Sequence, residues 1–352
     1  MKTTNEKKKT PKLPLILVFF GIVLIMIVAN IIPKKVQYEC AGPTGGTVRM
    51  STFTDKLVII SQNEEVYIWD WNNLSNTPRI SSLGLNNMTA VDSDRILAVS
   101  TQDKDSMTII DLNTGKELKR FWLYDAQKCT KINPSHNGKY VIAELPTNAT
   151  SGKEIKFAVI NVDSSSTPKV IKINSKLENF STENFAVTND GSLVAIVGGN
   201  KNGAIILVDT LSRKILWEKT VDKSITFNKV IFSQDGSKIY ASQKDRFVYV
   251  FECKTSEIVK KLEIAEYKTP ANNPQIISCL TVSGDDSLFA ASSGPGSQVY
   301  IWDAAKNWEK IDVLKTGHFM TSGISFSPDN TLIAIADSTV GPLKFCKISG
   351  KD

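Results

Sequence analysis

The chain has 352 residues, with 42 Lys+Arg against 36 Asp+Glu, 41% hydrophobic and 22% charged positions. Those values exclude a small disulfide-stapled module, a fibrous repeat and a wholly disordered chain, and they leave room for one large domain or two ordinary ones. The net charge of +6 is local: five lysines lie in residues 1–12, Lys34 and Lys35 follow, and the rest is balanced, so no basic surface for nucleic acid is expected.

Leu13 to Ile32 reads LPLILVFFGIVLIMIVANII, without a charge. Twenty helical residues span roughly 30 Å, the thickness of a bilayer core. Pro14 sits in the first turn, where its missing N–H costs least. The stretch predicts a transmembrane anchor over 13–32, preceded by a basic tail over 1–12. A cleaved signal peptide is the competing reading, since Ile27-Val28-Ala29 permits processing after Ala29. Lys2, Lys7, Lys8, Lys9 and Lys12 outweigh Lys34 and Lys35 with Glu39, so the tail is expected in the cytoplasm. The body then faces the periplasm, the outside or a lumen.

From residue 33 onward helical periodicity gives way to short β-branched and aromatic runs broken by Asn, Asp, Gly and Pro. The segments 185–197, 229–241 and 324–336 each read strand, tight turn, strand. Their Asp-Gly or Asp-Asn pairs supply the turn, tolerating positive φ or bonding back to the backbone. A third strand then closes each unit, usually on an acid. The ends are Asp70, Asp111, Asn161, Asp209, Glu252, Asp303 and Cys346. That recurring interval of some 40–50 residues is a blade period. A fourth strand is expected near 116–121, 214–217 and 258–262. The last unit stops after its third strand, and Lys35 to Cys40 can supply the missing one. The expectation is an all-β, seven-bladed β-propeller over 33–352.

Trp69-Asp70, Trp302-Asp303 and Gly317-His318 carry a family likeness: the chain resembles a divergent seven-bladed WD40-type propeller. The resemblance implies structural roles for Trp69, Asp70, Trp302, Asp303 and His318, and for Asp245 as a buried turn aspartate. The single Gly-His shares no unit with a Trp-Asp, so the family's full buried His–Ser/Thr–Asp–Trp network is not assembled in any one blade.

Reactive motifs are scarce. His136, in the turn Asn133-Pro-Ser-His-Asn-Gly138, is expected to face solvent. Two histidines in different blades make no metal site by themselves. No Cys-x-x-Cys, nucleophile elbow, phosphate loop or dinucleotide fingerprint occurs. No catalytic, cofactor-binding or metal residue is therefore assigned. The acids closing the third strands read as turn caps. Cys40 and Cys346 fall in adjacent strands on the seam reading, where a disulfide is allowed in an oxidising compartment. Sequons at Asn73, Asn87, Asn148 and Asn179 matter only in a eukaryotic lumen. Trp71, Trp122 and Trp308 lie beyond the apolar runs and are the aromatic candidates for partner contact.

These features point to a membrane-anchored extracytoplasmic propeller that binds protein partners, as a scaffold or as an accessory subunit of a membrane complex. The alternative is an extracytoplasmic propeller enzyme of lactonase or quinoprotein type, which needs carboxylates or a metal converging on the channel mouth.

Overall fold

The computed structural model describes residues 36–349, apart from 41–42, 44–46, 76–77, 83–84, 86, 101–102, 104, 130, 148–153, 178–179, 200–201, 223–225, 245, 265–276, 295–297, 318–319 and 339–340. The expected tail over 1–12 and anchor over 13–32 lie outside these residues. Among the described residues no helix is long and apolar enough to cross a membrane.

Seven four-stranded antiparallel sheets form the body. Six are consecutive in sequence, over 47–82, 88–122, 132–174, 182–222, 227–263 and 277–315. We call them blades 1 to 6. Blade 7 takes three strands from 321–347 and its outer strand from Val36–Cys40. Innermost strands pack on those of neighbouring blades, and the first packs on the last, which closes a seven-bladed propeller around a channel. The predicted third-strand ends hold: those strands finish at Asp70, Asp111, Asn161, Asp209, Glu252 and Asp303, and the seventh runs one residue past Cys346, to Lys347. The expected fourth strands are Glu117–Trp122, Lys214–Asp222 and Ile258–Glu263.

Burial explains the residue patterns. Second and third strands are covered by neighbouring blades on both faces, so Lys56–Ser61 and Glu65–Asp70 read as apolar runs, not as alternation. Outer strands lose that double cover, and Lys169–Asn174 and Glu309–Lys315 alternate buried with exposed positions. Apolar side chains gather into seven clusters, one between each pair of adjacent blades. Each fully buried Leu, Ile, Val or Phe contributes about 1.5–3 kcal/mol. No blade can bury its faces alone, so the ring is the stable unit.

The early segment supplies the outer strand of blade 7, as expected; it pairs antiparallel, and the disulfide that the seam allowed is not formed. Cys40 lies opposite Leu343, and Cys346 lies opposite Val36. Three residues of offset amount to roughly 10 Å along a strand. The two thiols also take opposite faces. Cys346 packs in the cluster between blades 6 and 7, Cys40 in the one between blades 7 and 1. All five cysteines are free thiols.

Candidate functional site

A cavity of about 860 Å³ occupies the axis, lined mainly by the innermost strands. Its two mouths differ because each innermost strand begins at one and turns back at the other.

At the turn mouth the hairpins repeat one chemical device. Thr188, Ser233, Ser283 and Ser327 donate a hydroxyl proton to the carboxylates of Asp190, Asp235, Asp285 and Asp329, at 2.6, 2.6, 2.7 and 2.6 Å. Each carboxylate also accepts the backbone N–H two residues on, from Ser192, Ser237, Ser287 and Thr331. The intervening residue is left-handed: Gly191 at φ 71°, Gly236 at 71°, Asp286 at 60° and Asn330 at 61°. Burial opposes ionisation of Asp285, but bonds from Ser283, Ser287 and Asn330 outweigh it and hold the carboxyl down to about 2.

These turns are tied blade to blade. The Asn137 N–H donates to Asn189 Oδ1 at 2.9 Å, and Asn189 Nδ2 donates to the Gln234 carbonyl at 2.9 Å. Asp286 accepts the N–H groups of Gln234 and Asp235 at 2.7 and 3.0 Å. An acid in a left-handed slot that glycine fills in blades 3, 4 and 5 is the sequence signal that would have exposed this clip.

His136 departs from expectation. It does not face solvent. It lines the cavity half-buried, and Nε2 lies 2.8 Å from the carbonyl oxygen of Phe232 in blade 5, two blades away. Burial lowers its pKa below the ordinary imidazole value, against the bond to Phe232 and the nearby Asp286.

At the opposite mouth the charge is basic. Arg49 Nη1 donates to the Met88 carbonyl at 2.6 Å in blade 2. Burial pushes the guanidinium down to about 10, and no carboxylate pairs with it among the described residues. Lys131 pairs with Glu144 at 3.0 Å, and Glu183 is taken by Lys244 at 2.6 Å. Lys229 lines the cavity with no ion-pair or hydrogen-bond partner among the described residues. Of the lining acids, Glu183 is the second residue of its blade's innermost strand, Thr182–Val187, and Asp285 follows its own, Ile277–Val282, so the two belong to opposite mouths. Among the described residues no three His, Cys, Asp or Glu side chains come together as a metal site.

The residues singled out in sequence distribute as follows. Trp69 is buried and stacks on Tyr67 at 5.8 Å, while Trp302 is buried against Phe289 at 5.5 Å. Asp70, Asp111, Asp209 and Asp303 cap their turns through the backbone N–H groups of Asn72, Thr114, Ser212 and Lys306. Lys56, at 2.7 Å, and the Asn72 amide hold the Asp70 carboxyl below the usual carboxylate range. Asp245 and His318 lie outside the described residues. Trp71 lacks the exposure that partner contact requires: it is 9% accessible, its ring edge-on to Phe345 at 5.5 Å. Folding the turn back over blade 7 buries it. Trp308 is half-buried against the cluster between blades 5 and 6. Trp122 is 63% exposed, at the end of the outer strand of blade 2, and Tyr124 beside it is 73% exposed.

No protein-family profile and no curated protein matches the sequence. Solved structures do match in fold. The β-propeller domain of Cps50 (Swd1) from Myceliophteria thermophila superposes with a TM-score of 0.61 at 14% identity, over 90% of this chain and 100% of that one. Kuenenia stuttgartiensis hydrazine synthase gives a TM-score of 0.65 at 13% identity, over 89% and 98%. At such identities the likeness concerns architecture alone.

Proposed function

We propose that this chain is a membrane-anchored, extracytoplasmic propeller of WD40 type that binds protein partners, as a scaffold or as an accessory subunit of a membrane complex. The observation that carries the binding role is the aromatic pair Trp122 and Tyr124, exposed on a blade edge together with Leu118 while the alternating Phe121 and Leu123 are buried. Large aromatics left in water at the rim of a packed scaffold are the usual anchors of an interface. The anchoring role rests on the uncharged segment 13–32 with its lysine bias. Trp69-Asp70 and Trp302-Asp303, with the fold likeness to the Swd1 domain, support the WD40 type. The enzyme alternative needs acids free to act, and the carboxylates gathered at the turn mouth, Asp190, Asp235, Asp285 and Asp329, are each taken up by a hydroxyl and a backbone N–H of their own hairpin.

Mild detergent extraction of the full-length chain from its native membrane, followed by mass spectrometry, tests the proposal. A stoichiometric protein partner should co-purify, and Trp122→Ala should reduce its recovery without lowering the melting temperature. A chain extracted by carbonate without detergent, or one recovered only as a monomer in several mild detergents, overturns it.

A further inference from the structure

The innermost strands can be aligned through their own ladders. In each blade the second strand begins opposite the end of the third: Lys56 with Asp70, Arg95 with Asp111, Tyr140 with Asn161, Leu193 with Asp209, Lys238 with Glu252, Leu288 with Asp303 and Leu332 with Lys347. Four residues further along the second strand, the partner on the innermost strand is Arg49, Asn184, Lys229, Cys279 and Gly323 in blades 1, 4, 5, 6 and 7. Extending the ladder by one step places Asn87 in blade 2 and Lys131 in blade 3. One layer of the channel is thus a ring with one residue per blade. It holds cations in blades 1, 3 and 5 and no acid.

Stitching the blades together does not require that charge. Arg49, Lys131 and Cys279 each donate to a carbonyl of the next blade, those of Met88, Thr182 and Thr321. Asn87 does the same to the Cys129 carbonyl with a neutral amide. Lys131 is neutralised by Glu144. Arg49 and Lys229 are not neutralised, although both line the cavity. A desolvated cation without a counter-ion destabilises a fold unless something anionic answers it. Guanidinium supplies a planar fork for a carboxylate or phosphate, and ammonium supplies a point charge.

We propose that the channel binds a small polyanion, a di- or tricarboxylate or a phosphate compound, between Arg49 and Lys229 at the cationic mouth. A cavity of about 860 Å³ admits a molecule of that size. This site is distinct from the aromatic edge of blade 2, so it stands or falls independently of partner binding there.

The test is thermal unfolding and calorimetric titration of the full-length chain in detergent, with citrate and with pyrophosphate, against sodium chloride at equal ionic strength. Either polyanion should raise the melting temperature saturably beyond chloride. A response to citrate alone identifies a carboxylate site, and one to pyrophosphate alone a phosphate site. Lys229→Met removes a group without a partner, so the fold should persist while affinity falls at least about tenfold, the weight of one charge-assisted contact. Arg49→Met should abolish the response; it also loses the bond to the Met88 carbonyl, so its melting temperature without anion should be lower, and the lost response is read against that baseline. Lys56→Met, outside the channel, should keep the full response. Polyanion shifts equal to those of chloride, or an undiminished response in both channel variants, overturn the site.

Discussion

At the residue scale, the channel turn of blade 3 depends on a backbone position that tolerates no side chain. Gly138 has φ +70°, and a Cβ there would lie 1.6 Å from the Val91 carbonyl oxygen of blade 2. Gly115 has nearly the same φ, +67°, but a Cβ there meets nothing within 4 Å. The two positions therefore separate conformational strain from collision. Gly115→Ala should cost about 1 kcal/mol, the left-handed penalty alone. Gly138→Ala should cost more than about 3 kcal/mol, because the carbonyl it strikes is held in another blade. Urea denaturation of the two variants measures the difference. His136 adds a dependence on pH. Its burial disfavours the imidazolium, so the unfolded chain takes up the proton first as pH falls. Its stabilising contribution is whole above the unfolded pKa of about 6.5 and is lost as pH drops from there toward the lower folded value. Melting temperatures at pH 7.5 and 5.0 should fall further for the wild type than for His136→Gln, which keeps an N–H for the Phe232 carbonyl but does not titrate.

At the element scale, register decides what can touch. Val36 and Cys346 are paired across the seam and share one apolar cluster, while Cys40 packs on the far side of the same sheet. Under mild oxidation Val36→Cys should lose two thiols to a bond with Cys346, while the wild type should keep all five titratable in denaturant. In the folded wild type those thiols should react slowly with a disulfide reagent at pH 8, since burial pushes Cys40 up to about 11 and Cys129, Cys253 and Cys346 up to about 12. The same distinction separates what was legible in the chain from what was not. Third strands were legible because both their faces are buried and a capping side chain ends them: Asp70, Asp111, Asn161, Asp209 and Asp303 each bond the turn that follows. Hairpins were legible because left-handed turns demand Gly, Asn or Asp. The cationic ring was not legible. A bulge precedes Arg49, Asn184, Lys229, Cys279 and Gly323, so their equivalence appears only once pairing is known. Trp71 misled for a related reason: it follows a strand by one residue, and only the path of the turn lays it against Phe345.

At the scale of the whole molecule, closure of the ring depends on five residues. Val36–Cys40 completes blade 7, and without it the strand Leu343–Lys347 becomes a sheet edge. That edge carries Leu343, Phe345 and Cys346, all at most 1% accessible in the closed ring. Lost ladder bonds contribute about 1 kcal/mol each, and the half-buried Val36 and Cys40 add apolar contact to two clusters. A chain lacking residues 1–40 should therefore be less stable than one lacking residues 1–35 by about 3–5 kcal/mol, a large share of a domain's total. An unpaired edge also offers its N–H and C=O groups to another chain. The shorter variant should thus form dimers or larger species at concentrations where the longer one is monomeric. Urea midpoints report the first effect and light scattering the second. Equal midpoints and equal mass for the two truncations would show that blade 7 stands on three strands, and that the ring is held by contacts between blades and not by its seam.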